Sequence, residues 1–108
     1  MANALESILD TFTTLDDNYS LLRAACRTQA ARDQLAAKYS AAEAAYQKAA
    51  NQVLSDDEAT VAVLNTQLTS VNKQIQKAVA EMGDMSKVID HITQALSLGA
   101  QLLAKAGV

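Results

Sequence analysis

The sequence predicts an all-α protein, an antiparallel helical hairpin or up-down helical bundle of three to four helices with one of them long. Three observations carry that expectation. The 108 residues contain no proline and only three glycines, and half of them are hydrophobic, a composition that favours helix and leaves few turn formers. Apolar residues recur at spacings of three and four, the rhythm of a single buried helix face. Capping residues stand where those runs begin. With one Phe, three Tyr and no Trp, the core must come from Leu, Ile, Val, Ala and Met, which suits helix-on-helix packing. A sheet would need turn residues that are missing. One domain, residues 1–108, is long enough to bury a core without disulfides or metals.

The first run is Leu5, Ile8, Phe12, Leu15, Tyr19, Leu22 and Cys26, alternating spacings of three and four, as in a helix seam. Asn3 followed by Glu6 reads as a capping box, so this helix is expected to begin at residue 4. "TLDD" at Thr14 repeats the pattern beside a β-branched pair. It leaves two alternatives: a short helix followed by a long one, or one continuous helix.

After Cys26 the rhythm would land on Gln29 and Asp33, which are polar, and it resumes at Leu35, Tyr39, Ala42, Tyr46, Ala49 and Val53. Such a slip either rotates the buried face or marks where one partner helix hands over to another. The segment is alanine-rich, and Tyr39 and Tyr46 are expected as core residues, with ligand stacking as the lesser reading. "SDDE" at Ser55–Glu58 opens a new helix, with a hydroxyl cap and acids against the positive helix end. Its expected core face is Val61, Leu64, Leu68, Val71, Ile75, Ala78 and Met82, and Gly83 can close it. Asp84 or Ser86 can cap the last helix, which presents Met85, Ile89, Ile92, Leu96, Gly99, Leu103 and Ala106, flanked by Val88 and Leu102, before Gly107.

That last helix ends in "SLGAQLLAKAGV". Its uncharged stretch is shorter than the ~20 apolar residues a bilayer span requires, and its polar face lacks the basic residues of a surface-lying membrane helix. Packing in its own bundle is the expected fate, with membrane contact the less favoured one.

The net charge of −3 and pI near 4.9 speak against nucleic acid as a partner, since its binders present a basic face to phosphates. The charge is uneven. Glu6, Asp10, Asp16 and Asp17 stand without a base in the first twenty residues, whereas Arg23, Arg27, Arg32, Lys38 and Lys48 outnumber Asp33 and Glu43 in the next thirty. A reversal near Leu54 would pair residues whose numbers sum to about 108 in an antiparallel hairpin of equal rise. Leu35 then meets Ile75, Tyr39 meets Leu68 and Val71, and Cys26 meets Met82. Arg27 falls on Glu81, Arg23 on Asp84, and Asp33 between Lys73 and Lys77. These pairs would fix the hairpin register.

Catalytic chemistry finds no footing. The single histidine, His91, follows Val88 by three residues, where a di-iron bundle would need a glutamate. Asp56, Asp57 and Glu58 lack the spacing and glycine of a calcium loop and are accounted for by capping. The lone Cys26 occupies a seam position, as an inert core thiol does. The glycines form no phosphate loop. The expectation is therefore a protein that is not an enzyme and has no catalytic, cofactor-binding or metal residues.

Two functions remain. The first is a non-enzymatic interaction protein, such as a scaffold, an adaptor, an immunity-type binder or an assembly subunit, that self-associates or binds a protein through amphipathic helices. A helix from Thr14 to Gln52 would reach about 55 Å against about 40 and 33 Å for the two that follow, and the uncovered part, centred on Leu5, Ile8, Phe12, Leu15, Tyr19 and Leu22, would serve as the interface of a homo-oligomer. The second is a membrane-active protein that releases its C-terminal helix at a bilayer. The N-terminus, acidic where a secretory signal is basic, points to the cytoplasm, with signal-less export left open.

Overall fold

A computed structural model of the chain describes residues 3–52, 54–55, 59–81 and 85–106. Four helices make up the fold: α1 (Ala4–Ala25), α2 (Gln29–Ala50), α3 (Ala59–Glu81) and α4 (Met85–Ala106). No β-strand occurs among the described residues.

Helix α1 begins as its cap residue dictates. Asn3 is extended, and its Oδ1 accepts the Glu6 amide at 2.8 Å, satisfying one of the amides that a helix start leaves orphaned. The helix then passes through Thr14 unbroken. It stops at Cys26, whose backbone turns extended while its amide returns to the Arg23 carbonyl at 3.2 Å. Thr28 caps α2 by accepting the Ala31 amide at 3.1 Å.

The break therefore lies at residues 26–28, where the apolar rhythm slips, and the expected long helix does not exist. Continuing the seam would have buried Gln29 and Asp33, both exposed. Turning lets Leu35 restart it. All four helices have 22 or 23 residues, about 33 Å each, in a molecule 42 Å long. With the lengths matched, the overhang that motivated an uncovered seam is gone.

The side-chain bonds give the directions. Ser7 reaches Thr69, Thr11 reaches Asn72 and Thr14 reaches Gln76; both numbers rise together, so α1 and α3 are parallel neighbours. Phe12 meets Tyr46 and Tyr19 meets Tyr39, so α1 and α2 are antiparallel. Helices α3 and α4 form the second hairpin, and α4 also packs on α2 and α1. Around the bundle the order is α1, α2, α4, α3. Helices α1 and α4 approach across the short diagonal, where a Cβ on Gly99 would stand 3.9 Å from Ile8 Cγ1. Helices α2 and α3 occupy the long diagonal with no close approach of their backbones. The connection between them passes the end of α4, where the Ser55 amide donates to the Ala106 carbonyl at 2.8 Å, one of the carbonyls a helix end leaves unpaired.

This topology corrects the expected register. Because α2 and α3 are diagonal, Leu35 does not pair with Ile75, nor Tyr39 with Leu68 and Val71, as adjacent antiparallel rows. That core is aliphatic, with Leu15, Leu22, Leu35, Leu68, Ile75, Ile92 and Leu102 fully buried, each worth about 1.5–3 kcal/mol of transfer free energy. Ala78, expected in it, is half-buried, and Asn72 and Val79 are buried instead. On α4 the innermost residues are Val88, Ile92, Ala95, Gly99, Leu102, Leu103 and Ala106, while Met85, Ile89 and Leu96 lie at the edges. Among the described residues no helix is long and apolar enough to cross a membrane. The caps expected from Asp56 to Glu58, at Gly83 and Asp84, and at Gly107, and the seam residues Val53 and Met82, lie outside the described residues.

Candidate interaction surface

The residues expected to form an interface divide by helical angle into two sets. Ile8, Leu15 and Leu22 point into the bundle and are covered by the chain itself. Leu5, Phe12 and Tyr19, one position round the helix, are only half-buried, at the groove between α1 and α2. From α2, Tyr39 and Tyr46 rise into the same groove and are likewise half-buried.

The four rings form one continuous strip. Tyr46 stacks parallel to Phe12 at 5.8 Å between centroids, Phe12 meets Tyr39 at 5.5 Å and a 53° tilt, and Tyr39 meets Tyr19 at 4.8 Å and 55°. Offset and tilted arrangements of this kind suit the ring quadrupoles. The chain has one Phe, three Tyr and no Trp, so its entire aromatic content lies in this strip. These rings pack against the aliphatic core without being fully buried in it.

Acidic groups border the strip. The Tyr39 hydroxyl donates to Asp16 Oδ1 at 2.6 Å, and Glu43 lies on the exposed surface of α2 one turn from Tyr39. The Tyr39 phenol is pushed up to about 12, first by its hydrogen bond to Asp16, then by partial burial and by the negative charges of Asp16 and Glu43, with Tyr19 adding a little. A bond that holds the phenol proton, and anions that oppose a second anion, both raise a tyrosine. Among the described residues neither Asp16 nor Glu43 has a cationic partner within ion-pair distance.

On its other flank α1 meets α3 through polar side chains. Ser7 hydrogen-bonds Asn65 and, at 3.4 Å, Thr69; Thr11 donates to Asn72 at 2.7 Å; Gln76 reaches Thr14 at 3.4 Å. Ser7, Thr11, Thr14 and Asn72 are all buried. Buried polar groups are tolerable only when paired, and these are.

The proposed register charges do not meet. Arg27 lies in the turn between α1 and α2, and no ion pair joins it to Glu81 or joins Asp33 to Lys73 or Lys77, all four helical residues standing on helices that occupy the long diagonal. Arg23 is on α1, and Asp84 lies outside the described residues. His91 sits half-buried in a groove of about 380 Å³ between α3 and α4, with Gln74, Lys77, Glu81 and Lys87 around it; its Nδ1 is buried without a hydrogen-bond partner. Cys26 is buried, its thiol against the Leu22 carbonyl. Among the described residues no cluster of His, Cys, Asp and Glu could hold a metal ion.

Compared with known protein families, characterised proteins and solved structures, the chain matches none. Its function must be argued from its own surface.

Proposed function

We propose that this chain is a non-enzymatic helical-bundle interaction protein that engages protein, a second copy of itself or another chain, through the aromatic face of α1 and α2. One observation carries the reading: all four aromatic residues stand in a single strip between α1 and α2, Tyr46–Phe12–Tyr39–Tyr19, and every one of them stays partly exposed. The fully buried core is aliphatic, and the rings pack against it while keeping part of their surface exposed. Tyrosine and phenylalanine offer large contact area at low conformational cost, and they are enriched where proteins bind proteins. The exposed large apolar residues elsewhere, Leu21 at 49% and Val63 at 56%, are isolated, as single surface hydrophobes commonly are.

The test is site-specific photo-crosslinking in the producing cell, with a photoreactive phenylalanine at position 46 and, for comparison, at position 63. A covalent protein product at 46 and none at 63 is the expected result, and its mass tells a second copy from a different chain. A product at 63 alone, or at neither position, overturns the proposal.

A further inference from the structure

The aromatic strip has a definite electrostatic character, and that character selects what can dock on it. Ring faces carry negative quadrupole potential. Phe12 and Tyr39, and Tyr39 and Tyr19, are tilted by 53° and 55°, and each of these rings keeps part of its surface exposed. Beside these rings stand the carboxylates of Asp16 and Glu43, neither in an ion pair among the described residues. Their charges act on one point of the strip, the Tyr39 hydroxyl, and both resist its ionisation. Ring faces beside two carboxylates that hold no ion pair attract a cation at that point of the strip.

From this, and resting on the reading of the face as an interaction surface, we infer that its occupant is a basic segment of a partner protein, which lays an arginine or lysine side chain over the Phe12–Tyr39–Tyr19 rings with its charged head at Asp16 and Glu43. Arginine fits better than lysine. Its planar guanidinium stacks on a ring while its edge donates to a carboxylate, and the arrangement of ring and acid here offers both. A long aliphatic stem would cover the rest of the strip towards Tyr46. An acidic or purely apolar segment would leave both carboxylates desolvated and unpaired, at a cost that works against binding.

The experiment uses the purified full chain and two short helical peptides that differ only in carrying arginine or its neutral isostere citrulline, with binding read from tyrosine fluorescence and from the NMR shifts of the Tyr39 and Phe12 rings. The arginine peptide is expected to bind and to shift those rings, to weaken as salt rises, and to bind about tenfold less tightly to the Asp16→Asn, Glu43→Gln double variant, a change of about 1.4 kcal/mol. Both substitutions are on exposed residues, and an unchanged circular dichroism melt verifies that the variant is folded. Equal binding of the two peptides overturns the cation while leaving the face an interaction surface. No binding of either peptide, with crosslinking at position 46 intact, overturns this inference alone. A dimer of the free chain that the double variant dissolves overturns it as well, because the face then belongs to a second copy.

Discussion

Thr11 Oγ1 lies 2.7 Å from Asn72 Oδ1, and the Asn72 side-chain amide turns back to the Ser7 carbonyl at 3.0 Å. The two residues are 4% and 1% exposed, so Asn72, accepting from Thr11 and donating to Ser7, ties the parallel helices α1 and α3 together in the interior. Asn72→Ala removes a donor and an acceptor at once and leaves the Thr11 hydroxyl with only its longer bond to the Ser7 carbonyl, 3.2 Å. It is expected to lower stability by about 1–3 kcal/mol in urea denaturation. The double change Thr11→Val with Asn72→Leu removes both partners together and is expected to cost much less, because nothing is left unpaired. A double variant as unstable as the sum of its singles would show that the pair does not act as a unit.

Gly99 stands in the middle of α4 against Ile8, yet a Cβ there would meet the Ile8 side chain only at ordinary contact distance, 3.9 Å. A small void lined by Ile8, Thr11, Ala42, Ala45, Ala95 and Leu96 adjoins it. The glycine is thus not required for close packing. Gly99→Ala is expected to stabilise the fold by about 0.5–1 kcal/mol, the helix-interior difference between the two residues. A fall in the thermal midpoint would show that α1 and α4 approach more closely than this.

The Tyr39 phenol, pushed up to about 12 from its ordinary 10.0, makes stability depend on pH in the alkaline range. Below pH 10 the phenol is protonated in both folded and unfolded chains, and the contribution is fully present. Between the two values the unfolded chain has lost the proton and the folded chain still holds it, so the unfolded state binds fewer protons and stability falls as pH rises. Asp16→Asn removes the carboxylate that is the main cause, and it is expected to bring the ultraviolet titration of Tyr39 back towards 10.0 and to flatten this dependence. An unchanged titration would mean that the hydrogen bond between Tyr39 and Asp16 does not form in solution.

The fold class was legible because Leu15, Leu22, Leu35, Leu68, Ile75 and Ile92 keep a three-and-four spacing that only helices bury together. The cap at Asn3 was legible for the same local reason. The topology was not. Charge subtraction assumed that chain neighbours α2 and α3 are also spatial neighbours, whereas a polar ladder of Ser7, Thr11 and Thr14 against Asn65, Thr69, Asn72 and Gln76 makes α3 the neighbour of α1. Those polar residues repeat at the same three-and-four spacing as the aliphatic ones. A count of polar as well as apolar periodicity would have found them, and it would have turned Thr14 from a capping candidate into a seam residue. The candidate surface was half legible: Leu5, Phe12 and Tyr19 do share a partly exposed face, but only the pairing of α1 with α2 brings Tyr39, Tyr46 and Asp16 to it.

The turn at residues 26–28 rests on one side chain that is neither glycine nor proline. Thr28 Oγ1 accepts the Ala31 amide, so Thr28→Ala is expected to cost about 1 kcal/mol through the lost cap and to speed amide exchange in the first turn of α2. Thr14, though it reads like a cap in sequence, has its hydroxyl against Gln76, and Thr14→Ala should leave exchange at the α2 start unaltered. Equal effects of the two changes at that site would argue for a helix running on through residue 28.

Leu15 and Tyr46 separate folding from function. Leu15 has no exposed surface and sits among the aliphatic residues of the bundle interior; a glutamate there buries an unpaired carboxylate, which costs several kcal/mol against the 5–15 kcal/mol that typically holds a domain together. Leu15→Glu is therefore expected to lose the helical circular dichroism signal or its cooperative melt. Tyr46 is half-buried and its ring stacks on Phe12, so Tyr46→Ser forfeits about 0.5–1.5 kcal/mol of ring contact and stays folded. It nonetheless removes one end of the strip that faces outward, and its expected loss is of partner binding. A Leu15→Glu chain that remains a well-folded monomer would place Leu15 at a contact between copies rather than inside one, and the assignment of Ile8, Leu15 and Leu22 to the interior would fall with it.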